Sequence, residues 1–275
     1  MRLKFNIDYP IAFAFLILLF SLMVGIAALP AATAVQYGSP QPVQQKTTSH
    51  AGSSCTVSPK MDPQPKKNVL YLTFDDGPGP YTDELLTILQ DNHVCATFFV
   101  TSMEPRYRYC IAREAHEGNA VGIHTYSHDY SKIYSSDRAY WHDFDKMQQI
   151  LIQETGCQSR LMRFPGGSSN EVSAHYSKGI MSRLTKEASR RRLTYVDWNI
   201  ECGDAEGIKN SGTIYRNLLH GVESMEGEPT IILCHDISPY TVDAMKSFLP
   251  WAKQHGYTFA VLKPGGYTTH HKVHN

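Results

Sequence analysis

Residues 69–81 read VLYLTFDDGPGPY. A run of β-branched, aromatic and apolar residues, the composition of a buried strand, ends in two adjacent carboxylates and then turns on Gly-Pro-Gly-Pro. Neighbouring anions repel, so Asp75 and Asp76 at a strand end call for a cation, a metal or a proton beside them. The Gly-Pro run sets the angle at which both carboxylates leave the strand.

The same pattern continues outward. Strand-like runs recur at VLYLTF, CATFFV, AVGIHT, LMRFP, LTYVDWN, TIILCH and YTFAVL, and most are separated by segments with helical spacing such as YTDELLTILQDN, SDRAYWHDFDKMQQILIQETG and VDAMKSFLPWAKQHG. Regular alternation predicts a mostly parallel sheet with helices outside it, closing towards a (β/α) barrel at this length. In such a barrel the working groups gather where strands end. Asp75 and Asp76 end the first run, His124 the third and Arg163 the fourth; Asp197 follows in the fifth, and His235 and Asp236 end the sixth.

Outside this core the chain changes character. The apolar run IAFAFLILLFSLMVGIAAL follows Arg2 and Lys4 and precedes Ala32-Thr33-Ala34. Its length suits an N-terminal membrane anchor and the small-residue site suits a cleaved signal peptide; residues 1–34 are read as one or the other, and both put the remainder outside the cytoplasm. Residues 35–67, rich in Gln, Ser, Pro and Thr, cannot bury enough apolar surface to fold and read as a polar, disordered linker. The domain is expected over 68–267, with HHKVH in a flexible tail, 268–275. With 26 basic and 26 acidic side chains, no broad field points to nucleic acid. The six cysteines include no CxxC pair, so buried thiols and disulfides are both open.

HTYSH, residues 124–128, places two imidazoles within reach of one ion. With one carboxylate of the Asp75-Asp76 pair they form the donor set of a catalytic zinc or related divalent site, which leaves the second carboxylate as general base in metal-assisted hydrolysis. Arg163 would keep that base ionised. His235 has the intrinsic pKa of a proton donor to a leaving group, and Asp197 is the carboxylate expected to orient it.

Taken together, TFDDGP, HTYSH, RFPGG, DWN and LCHD, in this order, resemble the motifs of the polysaccharide deacetylases of the NodB-homology type, carbohydrate esterase family 4. The resemblance implies a distorted (β/α) barrel of about seven strands and divalent-metal-dependent removal of N-acetyl groups from amino sugars. Position by position it implies Asp75 as base and Asp76, His124 and His128 as metal triad. Arg163 would position the base, and His235, partnered by Asp197, would be the general acid. Trp198 and Leu233 would line the acetyl pocket. RFPGG departs from the Arg-Pro-Pro-Tyr of many relatives: Gly166 keeps the backbone N–H proposed for the oxyanion but lacks the aromatic wall beside the sugar.

The expected protein is therefore a secreted or membrane-tethered monomeric hydrolase acting on an N-acetylated glycan, with peptidoglycan N-acetylglucosamine first and chitin-type oligomers second. Zinc is the first choice of metal, with cobalt, nickel and manganese compatible with the same ligands. A glycan-binding protein that lost catalysis is the rival from another class.

Overall fold

The computed structural model describes residues 68–225 and 227–275. The expected signal or anchor and the linker lie outside the described residues. Among those described, no helix is long and apolar enough to cross a membrane.

Each of the seven strand-like runs contains a strand: β1 Val69–Asp75, β2 Thr97–Val100, β3 Ala120–Ile123, β4 Leu161–Met162, β5 Thr194–Tyr195, β7 Thr230–His235 and β8 Thr258–Phe259. One short strand, β6 Ile200–Glu201, is additional, since the chain after LTYVDWN turns back into the sheet. The order is β5-β4-β3-β2-β1-β7-β6, every pairing parallel, with β8 beside the first residues of β1. Among the described residues β5 and β6 do not pair, so the sheet curls into an open, distorted barrel. The helices are α1 Thr82–Asp91, α2 Tyr109–His116, α3 Tyr130–Ile133, α4 Asp137–Thr155, α5 Ile180–Arg190, α6 Ser211–Ser224 and α7 Pro239–Gln254. Helix α4 shows how the sequence sets such limits: the Ser136 hydroxyl accepts from the Ala139 N–H at its start, and Gly156, with φ 74°, closes its end in the left-handed region.

Strand periodicity decides what faces the concave side. Leu70, Leu72 and Phe74 of β1 join the large core beneath the helices, whereas Val69 and Tyr71 pack in a smaller inner cluster with Phe99, Leu161, Val196 and Ile231. The same alternation turns Thr73 and Asp75 inward above Tyr71, and Leu233 and His235 inward above Ile231, with Asp75 opposite His235 and Thr73 opposite Leu233 in register. The inner face is thus apolar at its floor and ionisable at its mouth.

The tail expectation needs correction. Residues 268–275 are not frayed but packed along the barrel: Thr269 accepts from the Asp197 N–H at 2.9 Å, His270 stacks on Tyr195 with ring centroids 3.9 Å apart, and the Asn275 backbone oxygen accepts from the Ser182 N–H at 2.8 Å. Its polar side chains satisfy backbone and side-chain groups of the loops they cover.

Candidate active site and metal centre

Asp75 closes β1 and Asp76 begins the turn, where its φ of 74° puts a non-glycine residue in the left-handed region. Thr101 holds that turn: its N–H donates to the Gly77 carbonyl at 2.7 Å and its hydroxyl to the Asp76 carbonyl at 2.8 Å. His128, with φ 50°, shares that left-handed conformation. The loop bearing it is tied to Asp143 on α4, whose carboxylate accepts from the N–H groups of Tyr126 and Ser127 and from the Ser127 hydroxyl at 2.7–3.1 Å. Backbone strain at two neighbouring ligand candidates is where function and fold compete most directly.

Asp76, His124 and His128 each turn a ligand atom to one point, all within 4.8 Å of one another. Asp76 Oδ1 lies 3.2 Å from His128 Nε2 and 3.5 Å from His124 Nε2, and is buried without a hydrogen bond among the described residues. His124 Nδ1 lies 2.8 Å from the Arg163 carbonyl oxygen, so it carries the proton and leaves the Nε2 lone pair free. Burial drives the His124 pKa down to about 3 against the attraction of Asp76, which keeps the ring neutral. An orphaned carboxylate oxygen, a neutral imidazole with a fixed tautomer and a second imidazole fit a divalent cation of the zinc class.

Arg163 is fully buried and spans the interior. Nη1 donates to Asp75 Oδ1 at 2.9 Å and to the Thr73 hydroxyl at 2.7 Å, Nε to the Val196 carbonyl at 2.9 Å and Nη2 to the Asp197 carbonyl at 3.1 Å. Phe99 packs against the guanidinium face at 4.4 Å. Burial pushes the Asp75 carboxyl above its ordinary value, opposed by Arg163, His235 and His128.

On the other side His235 Nε2 lies 3.9 Å from Asp76 Oδ2. Its partner is not Asp197. His235 Nδ1 and backbone N–H each lie 2.8 Å from an oxygen of Asp204, which also accepts from the Thr241 hydroxyl at 2.7 Å. Burial opposes charge on His235, but the hydrogen bond and charge of Asp204, backed by Asp76 and Asp75, outweigh it and bring the pKa up to about 10. Asp197 instead accepts from the N–H and hydroxyl of Ser168 and the N–H of His271, pinning the loop after RFPGG to the C-terminal segment. Asp204 had a weak sequence signal, a carboxylate directly after the turn glycine that follows strand-like residues in IECGD, and β6 pairs with β7 so that Glu201 lies opposite Leu233.

The remaining expected residues ring this centre. Gly166 is exposed, with φ 75°, and its N–H has no acceptor among the described residues. Leu233 is buried on the inner face two residues before His235. Trp198 is half-buried against the inner cluster, 5.6 Å from the Arg163 guanidinium.

Comparison with known proteins places this geometry. The family model described as polysaccharide deacetylase matches residues 62–180. A peptidoglycan-N-acetylglucosamine deacetylase of Bacillus cereus is 30% identical over 200 residues, covering 70% of this chain and 69% of the relative. The chain belongs to the polysaccharide deacetylase family. The solved catalytic domain of a peptidoglycan N-acetylglucosamine deacetylase from Eubacterium rectale superposes on this deacetylase with a TM-score of 0.76 at 40% identity, covering 79% of this chain and 99% of that one. A chitin deacetylase of Arthroderma benhamiae is 30% identical over 199 residues, 70% of this chain and 47% of the relative. The curled parallel sheet is that of the deacetylase fold, as the motifs implied.

Proposed function

We propose that this chain hydrolyses N-acetyl groups of extracytoplasmic peptidoglycan N-acetylglucosamine, using a divalent cation, with zinc the first choice, held by Asp76, His124 and His128. The observation that carries the reading is one cation-ready triad flanked by a carboxylate paired with arginine and by a histidine paired with carboxylate. The cation would supply Lewis acidity towards the acetyl carbonyl and water, and positive charge that favours the ionised form of Asp75.

The chain's own groups then divide the work. Asp75, fixed by Arg163, takes the proton of the attacking water. The unpartnered Gly166 N–H donates to the oxygen that gains charge in the transition state. His235, held protonated by Asp204, gives its Nε2 proton to the departing amine. Leu233 and Trp198 offer apolar surface to the acetyl methyl. The apolar N-terminal segment supports export, with the polar stretch after it as a tether to the wall.

Acetate release from N-acetylated peptidoglycan by the metal-loaded chain, beside its Asp75→Asn variant, tests this. Release that collapses in the variant supports the assignment. Bound metal with no release from peptidoglycan or chitin oligomers would instead favour a glycan-binding protein. The similarity to a fungal chitin deacetylase makes chitin oligomers the second substrate to try.

A further inference from the structure

Gly166 leaves a gap in the wall of the site, and another element occupies it. A Cβ placed on Gly166 would lie 2.7 Å from the Tyr130 hydroxyl and 3.1 Å from Asn170 Nδ2, so the space a side chain at 166 would use is held by Tyr130. Tyr130 opens α3 immediately after the loop carrying His128. Its ring meets that of His128 edge-on at 5.6 Å and that of Tyr134 at 5.3 Å, which fixes its direction. Tyr134 in turn donates from its hydroxyl to the Pro165 carbonyl at 2.7 Å, locking α3 against the RFPGG turn.

The two hydroxyls differ in a telling way. That of Tyr134 is buried and bonded, whereas that of Tyr130 has no hydrogen-bond partner among the described residues and belongs to a half-buried ring. The Gly166 N–H beside it also lacks an acceptor. Two donors without acceptors thus stand together at the mouth, next to a ring directed by a metal-ligand candidate. Unspent donors on a rigid wall beside a reaction centre are what a polar substrate would use.

Resting on the deacetylase reading above, we propose that Tyr130 is a substrate-contacting residue. Its ring forms the wall that the glycine turn lacks, and its hydroxyl donates to an oxygen of the N-acetylated sugar. This gives the site a specificity element on the loop after the second histidine rather than on the turn after the arginine.

The test uses the full chain, metal-loaded, as parent, Tyr130→Phe and Tyr130→Ala. Four quantities are read: kcat and KM for acetate release from the N-acetylglucosamine tetramer, metal affinity by chelator competition, and the tetramer's Kd in an Asp75→Asn background. Loss of one hydrogen bond predicts a fall of about tenfold in kcat/KM for Tyr130→Phe with metal affinity unchanged. Tyr130→Ala should also raise KM and Kd. Unchanged kcat, KM and Kd in both variants would overturn the proposal while leaving the deacetylase reading intact, and so would losses that merely follow weakened metal binding. If the parent releases acetate from neither the tetramer nor N-acetylated peptidoglycan, the deacetylase reading falls, and the Kd series still decides whether Tyr130 touches the sugar.

Discussion

His235 is placed between carboxylates of two kinds, and its charge depends on which of them is removed. Asp204 grips both its Nδ1 and its backbone N–H, while Asp76 stands 3.9 Å from Nε2. A histidine whose folded pKa is raised, here to about 10 with no cation on Asp76, stays protonated to higher pH, so a step needing its proton fails only as pH climbs through the folded pKa, which a cation bound at Asp76 brings down. Asp204→Asn removes the stabilising charge. The alkaline limb of the kcat/KM profile should then move to lower pH, with a loss of about a hundredfold at neutral pH, the size of one acid–base contribution. Asp197→Asn should leave that limb in place and act through the loop it anchors; a limb that moved with Asp197 and not with Asp204 would reverse the pairing. Sequence alone points to Asp197 rather than Asp204 because both follow strand-like residues in VDWNIECGD, and only the two-residue strand β6 decides which one reaches His235. Asp75, Asp76, His124 and Arg163 were legible because each lies at or just beyond the end of a strand recognisable from its own composition, and His128 because it follows His124 by four residues.

Elements are where local signals lose to long-range ones. All seven strand runs and the long helices could be read from periodicity and caps, whereas residues 268–275 looked like a tail because TTHHKVHN has neither an apolar stripe nor a turn signal. What holds them is a set of hydrogen bonds to residues far away in sequence. His271 donates its N–H to Asp197 Oδ2 and Asn275 donates from Nδ2 to the Ser173 hydroxyl, at 2.8 and 2.7 Å. The segment therefore braces the turn that presents Gly166. Deleting residues 270–275 should leave the metal affinity of the triad near that of the parent, speed amide exchange at Gly167, Ser168 and Asn170, and lower kcat. Each lost hydrogen bond is worth about 1 kcal/mol to the brace. Exchange at those amides as slow as in the parent would show that the turn stands without the segment.

At the scale of the whole molecule, the curled sheet separates an apolar floor from an ionisable mouth, and almost every buried charge has its partner on a neighbouring strand or loop. Among the described residues Glu114 is the buried carboxylate with neither oxygen bonded, whereas Asp236 keeps one bond, from the Thr82 hydroxyl. Glu114 sits fully buried on the core-facing side of α2 with Cys110 and Ile111. Burial, and then the charge of Asp236, push its pKa well above the ordinary value. The sign follows from linkage: below the unfolded pKa, about 4.3, both states are protonated and no pH-dependent penalty exists. As pH rises above it the unfolded chain ionises first, so stability falls until the raised folded pKa is reached. Glu114→Met, close in volume and apolar, should therefore stabilise the fold by about 1–3 kcal/mol at pH 8 and by less at pH 4, where only a neutral carboxyl is being replaced. Denaturant titrations of parent and variant at the two pH values measure this. An equal gain at both would mean that the cost of Glu114 is its polarity alone and that its ionisation is not linked to folding.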